Sequence, residues 1–529
     1  VIGFRVSIFV SLLASVAVLT ACERQVVESD IQDVDTSTET QELPASQPGD
    51  GQSDTATDRT WQRAQSDLSA RLNIEHRPQR ARNVIVFIAD GMSIPTIAAA
   101  RIFDGQQSNR SGVENSLSFE RFPHVALIKT YNTDAQVSDS ASTATAIVTG
   151  IKTRTGAISV APAQDTEVCS NPLSAPATLA EIAESRGMTT GIVSTARVTH
   201  ATPATMYAHS LSRNWEADDD LPDFARAAGC EDIASQLISF GAGDGVDLVL
   251  GGGLREFVPA EAGGVREDGR DLLAEWRGLG RSGMTVTDAA SFRSLNPSGE
   301  APVLGLFTSS HMSFEADRDD ALEPSLAEMT AFAIDRLSQS ATGYVLMVEA
   351  GRVDHAHHGT NAHRAMRDMQ AYSEAITTAL EHVDLDETLI IVTADHSHVM
   401  TFSGYPARDN PILGLVRRVD PSQPGTEPSL TLADDGRPYT TLNYQTGRNI
   451  RTAESESLTD EQVLDPDYLQ QTAIPRSETH AGDDVALYAT GPRAHLFGGS
   501  LEQNSIFHLI EYAMDWTDHD AVEDLEFGE

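Results

Sequence analysis

The chain has 529 residues, enough for one large α/β domain or about three ordinary ones. Its 78 acidic against 37 basic residues leave a formal net charge of −41, which excludes a general nucleic-acid binder, because that role needs a basic footprint. Lysine is confined to Lys129 and Lys152, so arginine carries almost all the positive charge of a densely hydrated surface.

Read in chain order, residues 1–21 form a signal peptide: Arg5 supplies the positive start and Val6 to Leu19 an apolar run too short to span a bilayer comfortably. The run ends in "LTAC", which resembles a bacterial lipoprotein box and makes Cys22 the expected lipidated first residue of an exported, periplasmic or cell-surface protein. A plain secretory signal with an incidental cysteine is the alternative. Residues 22–75, acidic and poor in large apolar side chains over most of their length, are expected to be a disordered tether. The remaining cysteines, Cys169 and Cys230, are either a disulfide, which export permits, or two buried thiols.

From residue 76 onward, apolar β-branched runs alternate with helical patterns, which predicts a large, mostly parallel central sheet with helices on both faces. The run "NVIVFIADGM" reaches Asp90, "TTGIVSTARVTH" leads to Arg197 and His200, and "VDLVLGGG" ends in a glycine turn. The run "YVLMVEAGRVDHAHH" delivers Glu349, Asp354 and His358, while "TLIIVTADHSH" delivers Asp395, His396 and His398. Sites in open α/β sheets form outside the carboxyl ends of strands. Each residue alone has an ordinary use as a cap or a satisfied polar group, but carboxylates crowded together without lysine repel one another unless cations compensate. Mixed Asp and His donors suit zinc, and an oxygen-rich position with Glu suits magnesium. In "VSDSASTATA", residues 137–146, the small residues predict a closely packed helix capped by Asp139, with Ser140 at an end that favours anions.

These strings resemble the alkaline phosphatase family over approximately residues 80–515: "FIADGM", "VSDSASTATA", "TARVTHATPA", "SRNW", "VEAGRVDHAHH", "VTADHSH" and "ETHAGDDVALYA" occur in its order and spacing. Their wording is closer to the vertebrate-type members than to the enteric bacterial type. The resemblance implies Ser140 as a nucleophile that becomes phosphorylated, and Arg213 of "SRNW", oriented by Asp139, as the holder of two phosphate oxygens. It implies one zinc on Asp354, His358 and His480, and a second on Asp90, Asp395 and His396. One magnesium would share Asp90 and use Thr202 and Glu349, with His200 tuning its surroundings. "GCEDIASQLI" around Cys230 resembles the same group and supports pairing with Cys169. Arg197 is expected to be structural, and His355, His357 and His398 supporting. The likeness stops at the vertebrate-type calcium site: Thr308 follows "GLF" where that group has glutamate, although Asp319 remains.

A phosphate-monoester hydrolase follows from the resemblance, with a role in phosphate scavenging, a homodimeric assembly and a crown-like insertion over residues 399–478. A sulfatase would need a Cys/Ser-x-Pro-x-Arg context, which is not found, and a diesterase would lack the counterpart of Arg213. A tethered phosphate- or metal-binding lipoprotein without turnover is the rival from another class.

Overall fold

A computed structural model describes residues 58–110, 112–171 and 174–517. The signal segment, Cys22, most of the tether and the acidic tail from residue 518 lie outside the described residues. The chain divides into an N-terminal unit ending at Ser69 and a second unit from Ala70 onward. Within the stretch expected as a tether, a helix runs Arg59–Leu72. Asp58 starts it by accepting from the Thr60 and Trp61 amides at 2.8 and 3.1 Å, and Trp61, Leu68 and Leu72 recur at helical spacing. The expectation of a structureless segment out to residue 75 therefore ends early, at this cap.

The second unit is built on a ten-stranded sheet. In chain order its strands are β1 (Asn83–Ala89), β2 (His124–Lys129), β3 (Thr189–Arg197), β4 (Leu248–Gly252), β5 (Met284–Val286), β6 (Val303–Leu306), β7 (Tyr344–Ala350), β8 (Thr388–Thr393), β9 (Val485–Thr490) and β10 (Gly499–Glu502). Their spatial order is β10-β2-β9-β8-β1-β7-β3-β4-β6-β5, parallel throughout except β9, which runs against both neighbours. Every residue of β7 and β8, and all of β1 except Asn83, is buried, as expected of strands covered on two faces.

The small-residue helix runs Ser140–Thr149 with all ten residues buried, and Asp139 caps it by accepting from the Ser142 amide at 3.3 Å. Gly150 ends it at φ +73°, where a Cβ would lie 2.7 Å from the Phe507 ring, so both conformation and space require glycine. Cys169 and Cys230 are joined in a disulfide, packed with Trp215 and Leu211 on either side of the Arg213 loop. The 399–478 insertion contains a small sheet, Met400–Phe402 antiparallel to Leu442–Gly447, which in turn runs parallel to Thr472–Pro475. A two-residue ladder, Ser397–His398 against His480–Ala481, fastens the end of the insertion to the end of β8.

Away from the sheet edge, Glu184 is 2% exposed, accepts from Thr190 Oγ1 at 2.5 Å, and leaves its second oxygen unpartnered. Burial, with repulsion from Asp247 and Asp244, pushes its carboxyl from 4.5 up to about 8. Between those values the folded chain keeps a proton that the unfolded chain releases, so this group's contribution to stability falls as pH rises through that window. Glu184→Gln should stabilise the fold at pH 8 by on the order of 2 kcal/mol, read as a raised thermal midpoint, and leave the midpoint unchanged near pH 4. Equal midpoints at both pH values would refute the assignment.

Candidate active site

Four adjacent strands, β8, β1, β7 and β3, open at their carboxyl ends onto one floor. Asp90 follows β1, Glu349 lies near the end of β7, and Asp395 and His396 follow β8. His200 and Thr202 follow β3 at the start of a short helix, Ala201–Ala204. Asp354 and His358 stand one turn apart on the helix Arg352–His358, so both reach the same face. The ladder to Ser397–His398 brings in His480 from the far end of the chain.

Ser140 stands at the first position of its helix, with Oγ 3.2 Å from His396 Nε2. That nitrogen is 3.4 Å from Asp90 Oδ1 and 3.4 Å from Asp395 Oδ2. Beside this set, His358 Nε2, His480 Nε2 and Asp354 Oδ1 are separated by 3.1, 3.3 and 3.5 Å. A tetrahedral zinc with bonds of about 2.0–2.1 Å spaces its donors about 3.3–3.4 Å apart, so both sets fit such an ion without rearrangement. The outer nitrogens are fixed: His480 Nδ1 donates to the Ser138 carbonyl at 2.8 Å and His358 Nδ1 to the Glu478 carbonyl at 3.1 Å. The oxygen-rich third position has Asp90, Glu349 and Thr202. Both Asp90 oxygens, Glu349 Oε1, Thr202 Oγ1 and His200 Nδ1 are buried without a hydrogen-bond partner, while the other Glu349 oxygen accepts from Ser194. Buried polar atoms are almost always paired, so this concentration of orphans marks a cation position.

Electrostatics point the same way. Burial, then repulsion from Asp354, Asp395 and Glu349, pushes the Asp90 carboxyl well up, and burial lifts Asp395 and takes Glu349 to about 8. Burial holds His396 neutral, as a ligand must be, and His200 neutral too, with His480 and Arg213 respectively adding to the effect. Asp354 differs: against the cost of burial, hydrogen bonds from His398 and His480 hold it well below the usual carboxylate range.

Arg213 donates to Asp139 Oδ2 at 3.2 Å and to His200 Nε2 at 3.0 Å. Asp139 also takes the Gly156 amide at 3.1 Å, and the Arg213 amide donates to the Gly156 carbonyl at 2.7 Å. One aspartate thus caps the serine helix and aims the guanidinium. Asp90, Asp139, Ser140, His200, Thr202, Arg213, Glu349, Asp354, His358, Asp395, His396 and His480 lie on this floor or its rim. Arg197 instead pairs with Glu216 through Nε at 2.7 Å and with His311 through Nη1 at 2.6 Å. His355, beside His311, is pushed down to about 3 by burial. His357 is fully buried behind the floor, bonded to Tyr444 at 2.7 Å and Thr96 at 3.1 Å. Thr308 and Asp319 bond within their own loops, to the Ser310 carbonyl at 2.8 Å and the Ala321 amide at 2.9 Å.

Reading the sequence missed Glu478, His311 and Gln503, whose amide donates to the Asp395 carbonyl at 2.6 Å. Only Glu478 carried a signal, as the acid two residues before His480.

A doubly wound sheet whose carboxyl edge gathers two zinc-like donor sets, an oxygen-rich cation position, a helix-terminal serine and an arginine fork defines a metal-dependent phosphoester hydrolase. A family model described as alkaline phosphatase matches residues 81–516. The chain is 39% identical over 471 residues to the tissue-nonspecific isozyme of alkaline phosphatase from Gallus gallus, covering 85% of this chain and 88% of that relative. It is 37% identical over 468 residues to alkaline phosphatase from Gadus morhua, covering 85% and 95%. Among solved structures, Thermus thermophilus alkaline phosphatase matches with a TM-score of 0.60 at 25% identity over 85% of this chain and 94% of that one. The enzyme from the Antarctic bacterium TAB5 shares the fold, with a TM-score of 0.57 at 24% identity over 83% and 100%. The chain belongs to the alkaline phosphatase family and is a metal-dependent phosphomonoesterase.

Proposed function

We propose that this chain hydrolyses phosphate monoesters through a phosphoserine at Ser140, with two zinc ions and one magnesium in the donor sets above. The observation that carries the reading is Ser140 Oγ, 3.2 Å from His396 Nε2 at the Asp90–Asp395–His396 set. Zinc held by Asp354, His358 and His480 and by Asp90, Asp395 and His396 would supply Lewis-acid charge, which favours an ionised serine, an ionised attacking water and a departing ester oxygen. Ser140 Oγ gives its proton to solvent and forms the Oγ–P bond as the ester O–P bond breaks, and the departing oxygen takes a proton from water to leave as the alcohol. Water then loses a proton and attacks phosphorus from the vacated side, the Oγ–P bond breaks, Ser140 Oγ regains a proton, and inorganic phosphate is released. Arg213 holds two nonbridging oxygens with its planar fork, and Asp139 fixes that fork's plane. A loose transition state asks for this positioning more than for covalent assistance.

The test is turnover of an aryl phosphate monoester against the matching diester and sulfate ester. Arg213→Ala should lower monoester kcat/KM about 10²–10³-fold while sparing any diester turnover. Diester turnover equal to monoester turnover in the unaltered enzyme would overturn the assignment.

Export, lipidation at Cys22, assembly as a homodimer and phosphate scavenging belong to the same proposal, on the strength of the N-terminal pattern and the resemblance. The mass of the mature N-terminus should show cleavage before Cys22 and a lipid adduct; an unmodified Cys22 would remove the anchor.

A further inference from the structure

Behind the Asp354–His358–His480 set lies a buried carboxylate, Glu478, outside the three donor sets described above. The Glu478 side chain has no exposed surface, and a carboxylate in such a place is costly unless it is well paired. Both of its oxygens lie 2.9 Å from His398 Nδ1. The opposite edge of that ring donates from Nε2 to Asp354 Oδ1 at 2.6 Å. Glu478 Oε2 is also 3.2 Å from His358 Nδ1, and Oε1 takes the Val399 amide at 3.4 Å.

His398 is poorly placed to coordinate zinc itself. Its Nε2 is 2.6 Å from Asp354 Oδ1, too close for two donors of one tetrahedral ion, which stand about 3.3 Å apart. The fold makes room for the ring in this place. Gly91, next to Asp90, would put a Cβ 2.3 Å from His398 Cδ2 and 2.6 Å from Nε2. The ladder pairs His398 with His480, so the ring and a ligand are carried on the same two strands.

We propose that Glu478 is a positioning residue which, through His398, fixes Asp354 and sets the metal affinity of the Asp354–His358–His480 site. A carboxylate–imidazolium–carboxylate chain, with both ring nitrogens donating, holds the rotamer of Asp354. Direct contact with His358 Nδ1 steadies a second ligand of the same ion. Among the described residues Glu478 makes its hydrogen bonds and ion pairs with His358, His398 and Val399 and none with Asp90, Asp395 or His396, so the second zinc set is not directly held by it. The proposal rests on the zinc reading of Asp354, His358 and His480.

The test is zinc titration of the metal-stripped full chain in competition with a chromophoric chelator, for the unaltered protein, Glu478→Gln, His398→Ala and the double variant. Glu478→Gln should weaken one zinc equivalent about 10–100-fold and leave the other unchanged. Monoester turnover in that variant should recover with excess zinc. The double variant should lose less zinc affinity than the two single losses combined, because Glu478 acts partly through His398 and partly through its own contact with His358. Unchanged affinity in Glu478→Gln, or a loss spread equally over both zinc equivalents, overturns the proposal. Asp354→Asn run alongside separates the two levels. If it keeps the full zinc complement, the ligand assignment falls; if it loses one equivalent while Glu478→Gln binds normally, only the role of Glu478 falls.

Discussion

Ser140→Ala is expected to lower kcat/KM for an aryl phosphate monoester by about 10³-fold or more, and to abolish the phosphoenzyme trapped by acid quenching. That is about 4 kcal/mol of transition-state stabilisation, the scale of losing a nucleophile rather than a contact. The substitution is clean. Ser140 is buried in a helix of small residues, alanine fits the same space, and Thr143 Oγ1 bonds the backbone carbonyl of residue 140, which remains. The Asp139 cap to the Ser142 amide also remains. The thermal midpoint and zinc content should therefore stay near those of the unaltered protein, so the lost rate reports on Oγ alone. Undiminished turnover, or a phosphoryl label trapped on another residue, would remove Ser140 from the mechanism.

The acids and imidazoles of the floor could be read from the chain because β-branched runs of buried strands end directly in them, as at Asp90, Glu349 and Asp395. Helical geometry likewise sorts the run Asp354–His355–Ala356–His357–His358: residues four apart share a face, which puts Asp354 and His358 together and turns His357 toward Thr96 and Tyr444. What could not be read depends on contacts between distant segments. Local pattern does not say that β9 enters the sheet against its neighbours, or that the Ser397–His398 ladder draws residues 478–481 to the floor. Glu478 is an unremarkable acid in sequence, and only the buried ring of His398 reveals its use. The helix Arg59–Leu72 was hidden by composition: its polar residues match those of the tether, and the cap at Asp58 marks the change.

Stripping the metals should abolish turnover, and adding back zinc with magnesium should restore it, because the unliganded floor is electrostatically unstable as a set of anions. Asp90, Asp395 and Glu349 are completely buried within reach of one another, and burial with mutual repulsion lifts all three above their ordinary range. Without cations these groups satisfy the conflict by binding protons, so metal binding must release protons and weaken as pH falls. Arg213 and Lys152 do not relieve the crowding, since Arg213 is committed to Asp139 and Lys152 to Glu502 at 2.9 Å. A site occupied at a thousandfold excess over its Kd adds about 4 kcal/mol to stability, so the thermal midpoint should fall on chelation along with the rate. Two readouts then move together for one physical reason: in the proposed mechanism the charge that activates Ser140 is the same charge that lets three buried carboxylates ionise. Turnover that persists in protein shown to hold no metal would refute both, and a chelated protein with full rate but a lowered midpoint would reduce the metals to a structural role.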